Sequence, residues 1–211
     1  MVLKLHGARM STCTRTVAVV ARELNVPYEF VDVDFAKAEH KSPAFTAVQP
    51  FGQVPYIDED GFKLFESRAI SRYLAKKYAG QGTKLIPTDP KDEAVFEQGV
   101  SIESSNFYPH AFGFAFEKVF KARRGLTTDE ARAEEHLKTL AAKLDAYDVI
   151  LGKQKYIGGN ELTLADLFHL AYTQFLITLG QGDLFESRPN VARWWKEISN
   201  RPSWLAVKDG A

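Results

Sequence analysis

The sequence predicts a two-part fold, a small mixed α/β layer in about the first 80 residues followed by an all-helical second part. Three observations point to it. Strand-like and helix-like patterns alternate up to Leu74. From Ala79 to Lys91, Gly80, Gly82, Pro87 and Pro90 interrupt the chain with no period of any kind. Beyond that stretch no segment reads as a strand.

Val2–His6 alternates apolar and polar residues, as a half-buried strand does, and Gly7 ends it. Val17, Val20, Ala21 and Leu24 recur at i, i+3, i+4 and i+7, the stripe of an amphipathic helix, which Asn25 and Pro27 stop. Tyr28–Asp34 alternates again. Val54–Asp58 and Phe62–Phe65 are further extended pieces, joined by the hairpin signal Asp60-Gly61. Ala69, Ile70, Tyr73 and Leu74 give a second helical stripe. The first two strands need a crossover and the last two a hairpin, so the sheet is expected to be mixed.

In the second part Thr127-Thr128-Asp129-Glu130 reads as a capping box, with Thr127 as N-cap and Glu130 at the third helical position. Leu137, Leu140, Ala141, Leu144, Tyr147 and Leu151 form the expected buried face of the long helix that follows. Thr163-Leu164-Ala165-Asp166 opens another helix after Gly158-Gly159, its carboxylate placed to reach back to the N-cap amide. Val191–Asn200, with Trp194 and Trp195, is a third, closed by Arg201-Pro202. The expected domains are residues 1–80 and 91–211, with a linker at about 81–90.

Composition excludes several classes. Across 211 residues, 27 Lys+Arg balance 27 Asp+Glu, so nothing in the charge favours nucleic acid or an anionic membrane as partner. One cysteine excludes a disulfide framework. The start of the chain has no secretory pattern, and the longest aliphatic run, Val17–Ala21, is too short to span a bilayer. A cytoplasmic location is expected. His6, His40, His110, His136, His169 and Cys13 lack ligand spacing, so no metal is expected. There is no glycine-rich phosphate loop and no Gly-x-Ser-x-Gly elbow.

Four local features remain, each with two readings. Ser11-Thr12-Cys13-Thr14 enters the first helix: its hydroxyl is either an ordinary N-cap or the donor to an anion at the positive helix end. Gly52-Gln53-Val54-Pro55 precedes a strand: proline either ends an edge or, if cis, turns Val54 outward to pair with a peptide-like ligand. Glu66-Ser67-Arg68 starts the second helix as a plain cap or as a carboxylate site. His40-Lys41 is a solvated loop or a cationic clamp.

Taken together, His40-Lys41-Ser42-Pro43, Pro50-Phe51-Gly52-Gln53-Val54-Pro55 and Leu64-Phe65-Glu66-Ser67-Arg68-Ala69-Ile70-Ser71-Arg72-Tyr73-Leu74 closely resemble the glutathione transferase superfamily, specifically its phi class. The likeness continues through Glu103, Phe107, Pro109, Phe116-Glu117 and Gly125-Leu126-Thr127-Thr128-Asp129 to Arg201-Pro202-Ser203-Trp204. It implies a thioredoxin-like N-terminal domain, an all-α helical-bundle C-terminal domain, and conjugation of glutathione, as co-substrate, to small hydrophobic electrophiles.

By resemblance Ser11 is the catalytic hydroxyl, His40 and Lys41 hold the glycine end of glutathione, and Val54 pairs with its cysteinyl backbone. Gln53, Glu66 and Ser67 bind its γ-glutamyl end, and Pro55 matches the family's cis-proline. A free thiol has a pKa of about 8.5, and lowering it by about two units takes roughly 2.7 kcal/mol. A hydrogen bond to a charged group supplies about 1.5–3 kcal/mol and a helix dipole about 0.3–1. No general base is needed. Phe112 and Phe116 are expected in the hydrophobic acceptor site, facing Met10, Thr12 and Phe35, although core packing explains the Phe112, Phe116, Phe120 repeat as well.

The sequence departs from the family at Gln49, where plant members commonly carry asparagine, and at Arg9-Met10, bulkier than usual before the serine. Cys13 lies two residues past the catalytic position and reads as a small buried hydrophobe rather than a redox thiol. Members are usually homodimers, with Phe51 the candidate anchor on a partner subunit. Reduction of organic hydroperoxides and non-catalytic carriage of hydrophobic ligands are the alternative functions.

Overall fold

The computed structural model describes residues 2–211. It divides into two compact units, one made of the residues up to Ile86 together with Asn200–Ala211, the other of Pro87–Ser199. Residues 91–211, expected as one domain, are therefore shared between the two. The reason is local chemistry in the first unit. The buried Glu23 carboxylate accepts hydrogen bonds from Arg201, Ser203 and Thr83, which ties the final segment to the first helix. Gly82 completes the closure: its φ is +61°, and a Cβ there would lie 2.1 Å from the Glu23 carbonyl.

The first unit is built on β1 (Leu3–Gly7), α1 (Thr12–Glu23), β2 (Tyr28–Asp32), the short α2 (Pro43–Thr46), β3 (Tyr56–Glu59), β4 (Phe62–Phe65) and α3 (Ser67–Lys77). The sheet order is β2-β1-β3-β4, with β1 parallel to β2 and the other pairs antiparallel. This is the mixed sheet that the crossover and the hairpin require. Leu5 pairs with Phe30 and Ile57, and Ile57 with Leu64, so the central strands share one apolar layer.

Helix α1 presses Val17, Val20, Ala21 and Leu24 into that layer, each fully buried and each large aliphatic side chain adding about 1.5–3 kcal/mol. It ends as predicted at Asn25, whose φ of +55° and N–H to the Arg22 carbonyl, with Val26 N–H to Ala21, make a Schellman stop. The predicted stripe of α3 is displaced. Ala69 is exposed and Tyr73 half-buried, whereas Ser67, Ile70, Ser71, Leu74 and Ala75 face inward. Serine is accepted on that face because the Ser71 hydroxyl donates to the Ser67 carbonyl at 2.7 Å.

The second unit has no strand among the described residues. Its helices are α4 (Pro90–Ile102), α5 (Tyr108–Ala115), α6 (Lys121–Arg123), α7 (Glu130–Leu151), α8 (Leu164–Thr178), α9 (Asp183–Glu186) and α10 (Pro189–Ser199); α11 (Pro202–Leu205) belongs to the first unit. Two π turns, Glu103–Phe107 and Phe116–Phe120, flank α5. Thr127 is not the cap of α7. Thr128 instead donates its hydroxyl to the Glu117 carbonyl, and Asp129 caps the helix by accepting from Arg132 N–H at 3.1 Å. The box at Thr163 stands: Asp166 accepts from Thr163 N–H at 3.0 Å, and also from Ile157 N–H and Trp194 Nε1–H. Of the expected face of α7, Leu140, Leu144, Tyr147 and Leu151 are buried and Leu137 and Ala141 half-buried.

Candidate active site

Ser11 closes the turn that leaves β1. Its N–H donates to the Ala8 carbonyl at 2.9 Å, and its backbone is extended at φ −63°, ψ 130°. From there its hydroxyl oxygen accepts from Thr14 N–H at 3.3 Å, while its carbonyl accepts from Arg15 N–H at 3.0 Å. The two readings of this serine are thus compatible. It caps α1 with a lone pair, and the hydroxyl hydrogen has no acceptor among the described residues. A hydroxyl that accepts from a helix amide and keeps its hydrogen at the positive end of α1 is a donor placed for an anion.

The start of α3 lies against the start of α1. The Cys13 thiol, in the first turn of α1, lies close to the side chains of Ser67 and Thr12. Burial pushes the Cys13 thiol up, more than Ser67, Thr12 and the nearby Arg68 bring it down. It therefore stays protonated at neutral pH and is no nucleophile. Thr12 is buried here, and its carbonyl accepts from the Thr16 hydroxyl at 3.0 Å. Glu66, just ahead of Ser67, holds φ +71°, ψ 108° and caps α3 with no side-chain hydrogen bond. A left-handed glutamate costs about 1–3 kcal/mol and is retained where the site needs it.

A second group forms from the irregular segment before β3. Lys41 donates its ammonium to the carbonyls of Phe51 and Gly52 at 3.2 and 2.9 Å, leaving one of three N–H donors. Gly52 has φ +60°, and a Cβ would sit 2.8 Å from both Lys41 Nζ and the His40 carbonyl, so only glycine lets lysine approach. Gln49, buried beneath, accepts Gln53 N–H on its side-chain oxygen at 3.0 Å. The His40 ring stacks on Phe35 at 4.0 Å. Burial, then the Lys41 charge, hold its pKa below the usual imidazole range, so it is neutral at physiological pH. Val54 takes no backbone hydrogen bond among the described residues, and the Val54–Pro55 peptide is cis. An extended peptide thus has an unpaired edge to join.

Of the apolar residues in the first unit, Met10 is 62% exposed and Phe35 is also open to solvent. In the second unit Phe112 and Phe116, ring centroids 5.9 Å apart, are half-buried, and Phe114 points into the core. They belong to a longer aromatic column. Tyr108 stacks on Phe112 at 5.7 Å, Phe120 on Phe175 at 6.0 Å, and Tyr172 meets both Tyr108 and Phe112 edge-on. Residues four apart drift about 40° per step on an α-helix, and the π turn at Phe116–Phe120 takes up that drift. Tyr108 extends the repeat by one step and was legible on that spacing. Tyr172 and Phe175 come from another helix and had no local signal.

Among the described residues no three His, Cys, Asp or Glu side chains are placed to hold a metal, and no helix is long and apolar enough to cross a membrane. His169 is committed to the core, with Nδ1 donating to the Ala165 carbonyl at 2.7 Å and Nε2 accepting from the Tyr147 hydroxyl at 2.9 Å.

A thioredoxin-like layer with two helix starts meeting beside an unpaired strand edge, in a chain with a separate helical unit, defines a glutathione transferase architecture. The family model "Glutathione S-transferase, N-terminal domain" matches residues 1–76, and "Glutathione S-transferase, C-terminal domain" matches residues 107–202. Glutathione S-transferase PM239X14 of Arabidopsis thaliana is 48% identical over 197 residues, covering 92% of this chain and 89% of its own. Glutathione S-transferase PARB of Nicotiana tabacum is 40% identical over 205 residues, covering 97% and 96%. Glutathione transferase F7 from Populus trichocarpa superposes with a TM-score of 0.93 at 39% identity, over 98% of this chain and 97% of that one. Glutathione S-transferase I from maize, solved with an atrazine–glutathione conjugate, superposes at 0.90 with 32% identity, over 99% and 97%. The chain belongs to the glutathione S-transferase family, with plant phi-class members as its relatives.

Proposed function

We propose that this chain conjugates glutathione, as its thiolate, to small hydrophobic electrophiles, with Ser11 donating the hydrogen bond that keeps the thiolate charged. The observation that carries the reading is the Ser11 hydroxyl itself, which accepts from Thr14 N–H and has its hydrogen uncommitted at the start of α1. Thiolate is the nucleophile, and a bond to a charged acceptor contributes about 1.5–3 kcal/mol, roughly the sum needed to bring a thiol near pKa 8.5 down by one to two units. The chain's own thiol, Cys13, is held protonated and takes no part.

In the same reading the rest of the tripeptide is bound by groups of the first unit. His40 and Lys41 hold the glycine carboxylate, Val54 pairs with the cysteinyl backbone in front of Pro55, and Gln53, Glu66 and Ser67 take the γ-glutamyl end. Helix α3, which no side chain caps, offers its first-turn amides to that carboxylate. The acceptor site is apolar, and the half-buried rings of Phe112 and Phe116 supply aromatic surface for it. Phe51, 65% exposed and with the Phe65 ring edge-on to it at 6.4 Å, anchors a homodimer. The location is cytoplasmic.

Calorimetric titration with glutathione and a conjugation assay with a chloronitrobenzene-type electrophile test this function. Saturable heat and turnover that depends on both substrates are expected. Absence of heat with glutathione would overturn the reading. Apolar-ligand binding without turnover on any electrophile would replace it by a carrier role, and turnover confined to organic hydroperoxides by a peroxidase.

A further inference from the structure

Segment 200–211 meets the rest of the first unit at two places that bracket Ser11. Four residues after the serine, Arg15 is 4% exposed, lies over the Trp204 ring at 5.7 Å and donates from Nη1 to the Lys208 carbonyl at 2.6 Å. Arg15 N–H also donates to the Ser11 carbonyl, so the arginine and the serine are successive links of the same helical turn. Two residues before the serine, Arg9 and Ala211 exchange a pair of bonds: Ala211 N–H donates to the Arg9 carbonyl at 3.1 Å, and Arg9 Nη1 donates to the Ala211 carbonyl at 3.2 Å. The far end of the segment is anchored at Glu23 by Arg201 and Ser203.

The turn Ala8–Ser11 has one internal backbone bond, Ser11 N–H to the Ala8 carbonyl. One bond leaves a four-residue turn free to pivot, and a hydroxyl donor is sensitive to a shift of a few tenths of an ångström. We infer that segment 200–211 is a positioning strap, with Arg15 and Arg9 as the residues through which it holds the Ser11 hydroxyl in place. These groups are given no contact with the thiol and act through the serine. The inference rests on the role proposed for Ser11.

The experiment follows the pKa of glutathione bound to the full chain, from thiolate absorbance against pH, alongside kcat and the KM for glutathione. Arg15→Met is expected to raise the bound thiol by about half a unit or more and to lower kcat about fivefold at neutral pH, with the glutathione KM changed less than about twofold. Ala211→Pro removes one N–H at a half-buried position, so it is folded whatever Arg15→Met does, and shifts both quantities the same way by about twofold. Arg15→Lys restores part of the loss, and Lys208→Ala, which keeps its carbonyl, matches wild type. In a Ser11→Ala background the strap variants add nothing further. If Ser11→Ala raises the thiol pKa while Arg15→Met and Ala211→Pro leave it in place, the strap is overturned and the serine role stands. If Ser11→Ala itself changes nothing, the serine role falls and the strap with it.

Discussion

Helices α1 and α3 begin side by side and are finished in opposite ways. The α1 start is closed by its own serine in ordinary extended backbone, and its other end is clamped by the four-part cluster around Glu23. The α3 start carries a strained glutamate and no capping side chain. In this respect α3 stands apart from the other long helices. Asp89 caps α4, Asp129 caps α7, Asp166 serves α8, and Asp148, reaching across from α7, accepts from the first amides of α10. Among the helices of eleven or more residues, α3 alone begins at a residue with positive φ and without a carboxylate or hydroxyl on its first amides, an arrangement that costs stability. In the proposed function the closed end gives the donor to the thiolate and the uncapped end receives the γ-glutamyl carboxylate.

Four substitutions test this contrast, from the largest effect down. Glu23→Gln removes the charge that Arg201, Ser203 and Thr83 surround, and is expected to cost about 3 kcal/mol in denaturant unfolding at pH 7. Burial alone would raise the Glu23 carboxyl, but its partners outweigh burial and hold it below the ordinary 4.5. A carboxyl with a depressed folded pKa stabilises above its unfolded value. The gap between wild type and variant is therefore constant from pH 6 to 8, by the reference pKa of about 4.5, and closes as pH falls below it. An undiminished gap at pH 3 would show that the cluster acts by packing alone.

Ser11→Ala acts on the fixed donor. It is expected to lower kcat/KM about 10- to 100-fold and to raise the bound thiol pKa by about one to two units, with about 1 kcal/mol lost from the α1 cap. An unchanged pH–rate profile would remove the serine from the mechanism. Ser67→Ala, at the open end, is expected to raise the glutathione KM about tenfold and leave kcat nearly alone, because the proposed function places its hydroxyl at the γ-glutamyl end, away from the sulfur. The smallest effect comes from Glu66→Gly. Relief of the left-handed backbone raises the unfolding free energy by about 1 kcal/mol while the glutathione KM increases. A melting temperature that falls instead would mean that Glu66 is not strained.

The strands, α1 with its stop at Asn25, and the α8 box were legible because each is written in neighbouring residues. What escaped was written elsewhere. The α3 face was misjudged because Ser67 and Ser71 are polar by type and buried in fact, the Ser71 hydroxyl being satisfied within the helix by the Ser67 carbonyl. The α7 cap was placed two residues early because Thr127, Thr128 and Asp129 are all able cap formers, and only the Glu117 carbonyl decides among them. Segment 200–211 was assigned to the second domain because its ties to Glu23 and Arg15 span most of the chain. At the site, Ser11, Lys41 and Ser67 were visible as motif positions. The support of Gln53 by Gln49 was not, since a side-chain amide bonding four residues ahead leaves no pattern.

The division of the first unit between residues up to Ile86 and Asn200–Ala211 bears on how the protein is made. Synthesis at about 5–20 residues per second delivers Glu23 many seconds before Arg201 and Ser203, because all of Pro87–Ser199 is translated between them. During that interval a carboxylate destined for the interior has only Thr83 and water as company. The nascent N-terminal layer is thus incomplete on the ribosome, and its last seam is sewn when the closing dozen residues emerge.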